Sequence, residues 1–103
     1  MRTKETEIER NGSLVTVKLR ALIQGEIEEL ENEFGINYDI KNKCAVGNIK
    51  GYMKKALPLS IVEPKDLGSR EELNKLEGVY YKRLQKTFVE VNSEMKEEEK
   101  SFL

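Results

Sequence analysis

Between Leu14 and Phe34 one hydrophobic period hands over to another. Leu14, Thr16, Lys18 and Arg20 alternate with Val15, Val17 and Leu19, and alternation rich in β-branched residues predicts a half-buried strand. From Leu22 the step lengthens. Ile23, Ile27, Leu30 and Phe34 recur every three or four residues, with Glu26, Glu28, Glu29, Glu31 and Glu33 between them. That spacing predicts an amphipathic helix over 22–34, acidic outside and aliphatic inside. It lacks a Ser, Thr, Asp or Asn cap, so Glu26 in the first turn is expected to offset the loss through the helix dipole. Gly35 is expected to end it in a left-handed conformation. Upstream, Asn11-Gly12 suits the positive φ angles of a tight turn, so residues 5–10 are expected to pair antiparallel with 14–20. A lone hairpin is marginal in water. The acidic helix is the nearest candidate to cover it.

Further on, Ile36, Tyr38 and Ile40 alternate as in a short extended piece, with a turn at Asn42-Lys43. Val46, Ile49, Met53 and Leu57 mark a second amphipathic helix over 46–57, with Lys50, Lys54 and Lys55 on its polar side. Pro58 is expected to stop it, because the residue before a proline is pushed out of helical geometry. Leu59–Val62 reads as a buried extended connector. Ser69 and Glu72 have the spacing of a capping box. From there Leu73, Leu76, Tyr80, Leu84, Phe88, Val91 and Met95 form the longest stripe, over 69–95, which Gly78 can divide into a helix pair. Residues 96–103 read as a flexible end. The expected architecture is a single α+β domain, an N-terminal antiparallel β-hairpin packed on three to four α-helices.

Composition narrows the chemistry. At 103 residues and 38% hydrophobic the chain holds one modest core. It has no histidine and a single cysteine, Cys44, so an internal disulfide and a conventional zinc site are not expected. Cys44 reads as a buried or half-buried small residue. Glu26, Glu29 and Glu33 share a helix face, but calcium needs ligands from turn backbone, and the favoured reading is a solvated surface. There is no Walker loop and no GxGxxG run. No catalytic residue, cofactor or metal is therefore expected, and the chain does not read as an enzyme. No apolar run approaches a membrane span, and MRTKETEIER lacks the centre of a secretory signal; the expected address is the cytoplasm. Charge is patterned: residues 36–68 carry 6 basic and 3 acidic side chains, while 1–35 carry 5 and 8. Such a basic middle fits charge pairing within the fold or between subunits.

Three stretches together resemble tail assembly chaperones of long-tailed phages and prophages. VKLRALIQGE, Val17 to Glu26, resembles the strand of that family that leads through a basic residue, a leucine and Gly-Glu into an acidic helix. SIVEP, Ser60 to Pro64, resembles its hydrophobic pair followed by Glu-Pro. KLEGVYYKRLQKTFVEVN, Lys75 to Asn92, resembles its tyrosine-bearing last helix ending near an asparagine. Ile23 departs from the threonine often found before the helix. The resemblance implies a non-enzymatic protein that coats the tape-measure protein, keeps it soluble, helps recruit tail-tube subunits, and is absent from the finished virion. Under that reading Phe88, Val91, Met95, Phe102 and Leu103 are the candidate partner-binding residues, because they extend the apolar stripe past what a small core needs. Two alternatives stand beside it. One is a small nucleic-acid-binding or regulatory protein built around Lys50, Lys54 and Lys55, which the small basic excess disfavours. The other is a virion structural protein that uses the stripes to form a homo-oligomer.

Overall fold

The computed structural model describes residues 2–93. In chain order the elements are β1 (Thr3–Arg10), β2 (Ser13–Arg20), α1 (Gln24–Phe34), β3 (Asn37–Asp39), β4 (Cys44–Val46), α2 (Ile49–Ser60), β5 (Ile61–Glu63), a 3-10 turn (Lys65–Leu67), α3 (Arg70–Asn74) and α4 (Gly78–Val91). The fold is α+β. β1 and β2 form the expected antiparallel hairpin, in register from Thr3↔Arg20 to Arg10↔Ser13. Asn11 and Gly12 turn it with φ of 53° and 80°, the doubly positive geometry whose twist matches that of the flanking strands. The connector after α2 adds β5 antiparallel to β2, giving a sheet of order β1-β2-β5. β3 and β4 pair separately as a small hairpin.

One face of the sheet carries the core. Ile8, Val17 and Leu19 are fully buried there, and Leu84, Phe88 and Val91 of α4 are buried with them. α4 runs antiparallel to β1. The Tyr80 hydroxyl donates to Glu9 (3.2 Å), Arg83 Nη1 donates to the Glu7 carbonyl (2.7 Å), and Lys4 pairs with Glu90 at the far end. The helix across the hairpin is thus α4, not α1. The reason lies in the short link Ala21-Leu22-Ile23, which sends α1 off the end of the sheet to pack on α2. Only Leu30 of α1 is buried.

Four local expectations are corrected. Pro58 does not stop α2, which continues to Ser60. Ser69 precedes α3 in an extended conformation, but its side chain makes no cap; the Glu72 carboxylate turns instead to Lys75 (3.3 Å) and Arg10 (3.9 Å). The long stripe breaks into α3 and α4 at Gly78, as the glycine allowed, and α4 ends at Val91, short of Met95. Cys44 is exposed, because β4 is solvent-facing throughout and its hairpin stands away from the sheet. Gly35 ends α1 in the left-handed region, as expected. Gly47 follows from it: a Cβ there would lie 2.2 Å from the Gly35 carbonyl oxygen, so only glycine lets β4 pass the helix end. The expected flexible end, 96–103, lies outside the described residues. Among those residues no helix is long and apolar enough to cross a membrane.

Candidate docking surface on the second helix

The three stretches that carry the resemblance meet at one place, the joint between β2 and α1. Arg20 donates through Nη1 and Nη2 to Glu26 Oε1 and Oε2 at 2.8 and 2.7 Å. Glu26 Oε1 also accepts the Ile23 N–H at 3.1 Å, which replaces the missing N-cap from the helix side. The Arg20 guanidinium and that N–H lower the Glu26 pKa from 4.5 to about 2. From the second stretch, the buried Ser60 hydroxyl donates to the Arg20 carbonyl at 2.6 Å. From the third, Asn92 Oδ1 accepts the Leu22 N–H at 2.9 Å, while Asn92 Nδ2 donates to the Phe88 carbonyl at 2.8 Å. Each of these polar groups is engaged in holding the joint. They give the chain its shape and leave no free group for a ligand.

Of the candidate partner residues, the two that are described do not lie on the surface. Phe88 and Val91 are 5% and 1% exposed, in the core against the sheet; α4 is the hairpin's cover, so its stripe is used up by the fold. Met95, Phe102 and Leu103 lie outside the described residues. The acidic face of α1 disperses to separate partners, Glu26 to Arg20 and Glu33 to Lys55 (2.8 Å). The three lysines of α2 consequently differ. Lys55 is paired, whereas Lys50 and Lys54 are exposed and have no ion-pair partner among the described residues.

Beside those two lysines the surface is hollow and apolar. One hollow of about 630 Å³ lies between α2, α3 and the start of α4; Ile49, Met53, Leu73, Leu76 and Tyr81 line it, with Lys50, Lys54 and Arg70 at its rim. A second of about 530 Å³ lies over the other flank of α2, lined by Phe34, Pro58 and Leu59 with Lys54, Lys55 and Arg70. Lys54 and Arg70 border both. Ile49 and Leu59 are each 42% exposed, and no Asp or Glu lines either hollow. A third hollow, about 360 Å³ at the turn of the main hairpin, is of another kind: Glu9, Glu72, Glu77, Arg10 and Lys75 line it. All of its charges but Glu77 are already committed. Arg10 pairs with Asp66 at 2.7 Å and holds that carboxyl below its usual range, and Lys75 pairs with Glu72.

Arg70 owes its position to Pro58. A proline within a helix has no N–H for the carbonyl four residues earlier, which here is that of Lys54. Arg70 Nη1 donates to that carbonyl at 3.0 Å, Nε donates to Asn74 Oδ1 at 3.1 Å, and the guanidinium lies 5.1 Å from the centre of the Tyr81 ring. So Pro58 is tolerated inside α2, and an arginine is fixed between the two hollows with Nη2 still unengaged by any described residue. Sequence reasoning missed Arg70 and Tyr81. The available signal was the proline itself, which announces an orphaned carbonyl but not its donor. The surface can bind apolar side chains between cations; it brings no nucleophile, base and pocket together.

Comparison with protein-family models, with curated proteins and with solved structures finds no match.

Proposed function

We propose that this protein is a non-enzymatic tail assembly chaperone of the long-tailed phage type, which holds segments of the tape-measure protein on the α2 face. The observation that carries the reading is the pair of adjoining apolar hollows on that face, flanked by Lys50 and Lys54, which have no ion-pair partner among the described residues. A chaperone of a long helical client needs apolar surface that is open in the folded state, because a closed core has nothing to offer. The resemblance of three sequence stretches supports the same reading, since all three converge on the joint that aims α1 and α2. In this role the protein acts in the host cytoplasm before tail-tube subunits assemble, and is absent from the mature virion.

Co-expression with a fragment of the tape-measure protein of the same genome tests it. The fragment is expected to move from the insoluble to the soluble fraction, and a variant with Ile49→Ser and Leu59→Ser to lose most of that gain. A fragment equally insoluble with and without the protein rejects the reading. So does a genome with no long coiled-coil gene beside a tube-protein gene.

A further inference from the structure

The α2 face also says what kind of segment it takes. We propose that its occupant is an amphipathic helix whose apolar stripe is flanked by acidic residues, and that Lys50 and Lys54 select it. The inference rests on the α2 face being a docking surface and adds the chemistry of the partner.

The occupant is helical because of backbone hydrogen bonding. The first hollow is walled by α2, α3 and α4 and the second by the end of α1, α2 and the start of α3, and neither is lined by a strand residue. An extended peptide laid there would leave its N–H and C=O groups without backbone partners as it lost water. A helix satisfies its own. Its apolar side chains meet Ile49, Met53 and Tyr81 on one side of Lys54 and Phe34 and Leu59 on the other.

The flanks are acidic because of the charges left over. Lys4, Arg10, Arg20, Lys55 and Lys75 all have carboxylate partners within the fold. Among the described residues Lys50 and Lys54 have no carboxylate partner, and unlike the exposed Lys41, Lys43 and Lys65, which also have none, they stand one helical turn apart at the rim of an apolar hollow with no carboxylate in its lining. Arg70 adds a third cation, held rigid by Lys54, Asn74 and Tyr81. Rim charges of one sign attract the opposite sign and repel their own. A second copy of this chain is a poor occupant for that reason. A two-fold contact through this face would set Lys50, Lys54 and Arg70 against their own copies.

The test uses the full chain and two labelled helical peptides with the same Leu/Ile stripe, one flanked by Glu and the other by Lys. In fluorescence anisotropy at low salt, the Glu-flanked peptide is expected to bind about tenfold more tightly than its counterpart, the sum of a few rim charges. That preference is expected to shrink as salt rises and to reverse in the double variant Lys50→Glu, Lys54→Glu. Both positions are exposed, and thermal melts of the variant verify its fold. Equal affinity for the two peptides, no binding of either, or an unchanged preference in the double variant overturns the inference. A dimer in analytical ultracentrifugation that the double variant dissolves also overturns it, in favour of a second copy. Displacement of the peptide by a single-stranded oligonucleotide at matched concentration reassigns the lysines to nucleic acid. If the tape-measure fragment is kept soluble while the peptides are not distinguished, the partner chemistry fails and the chaperone reading stands. With the peptides distinguished and the fragment insoluble, the reverse holds.

Discussion

The β2–α1 joint and the α2 face both centre on an arginine, and they use it differently. At the joint, Arg20 meets a carboxylate through two hydrogen bonds, Ser60 takes its carbonyl, and Asn92 closes the next N–H. Every strong group has a partner within the fold. On the α2 face, Arg70 satisfies a backbone carbonyl that Pro58 orphans, yet its neighbours Lys50 and Lys54 have no ion-pair partner among the described residues and stand beside apolar side chains. Saturated polar groups mark a place whose work is finished once the chain has folded. Unmet charge beside open apolar surface marks a place with binding still to do. The stretches of sequence that carry the resemblance lie at the joint, so they are separate from the residues proposed to touch a partner.

The largest test of that division is at α4. Phe88→Ala is expected to cost about 3–4 kcal/mol in urea unfolding, because a buried ring is lost from a packed core. A cost below about 1 kcal/mol would return Phe88 to the surface role that its place in the stripe first implied. Next comes Glu26. Its carboxylate is depressed in the folded chain, so its stabilisation is complete above the unfolded value near 4.5 and is lost as pH falls toward the folded value of about 2. For a partly exposed pair that stabilisation is on the order of 2 kcal/mol. Glu26→Gln should therefore lower the melting temperature at pH 7, with the gap to the native chain closing between about pH 5 and pH 2. A gap that is constant with pH would place the joint's stability elsewhere.

The ease of reading the sequence followed the same division. Alternation from Leu14 to Leu19 and the Asn11-Gly12 turn are local signals, and the antiparallel hairpin forms about that turn. The apolar stripe of α4 was equally legible, and so was the break at Gly78. Which helix would cover the hairpin was not, because that depends on the short link 21–23 and on the direction in which it throws α1. The site was hidden for a related reason. Ile49 and Met53 have the spacing of core residues, and α2 does bury Ala56, Leu57 and Ser60 behind them. Only the tertiary arrangement shows that the first turns of α2 project beyond what α3 and α4 cover. Phe88 and Val91 were misplaced by the converse error. As far as Val91 the stripe is required by the core under the three-stranded sheet.

Arg70 offers a sharper probe of how the α2 face is supported. Arg70→Met is expected to cost about 1 kcal/mol in the native chain, since the exposed Lys54 carbonyl then exchanges a guanidinium donor for water. In a Pro58→Ala background the restored N–H at position 58 can serve that carbonyl, and the same substitution should cost little. The double-mutant cycle would then report a coupling of about 1 kcal/mol. Additive effects would mean that Arg70 acts through Tyr81 and Asn74 alone.

The smallest expected effect on stability falls on the hollow itself. Ile49 is 42% exposed at the first position of α2, where side-chain packing contributes little, so Ile49→Ser should change unfolding free energy by no more than about 0.5 kcal/mol. The same substitution removes apolar surface from the lining of the larger hollow and should weaken a bound helix several-fold. Buried residues show the opposite ratio, a large loss of stability with binding lost only because the fold is lost. Measuring unfolding and peptide affinity on one set of variants therefore separates the two regions on two axes. Joint and core variants such as Glu26→Gln and Phe88→Ala should spread along stability, and Ile49→Ser along affinity. If Ile49→Ser instead unfolds the protein, its hollow is part of the core, and the proposed surface loses its central residue.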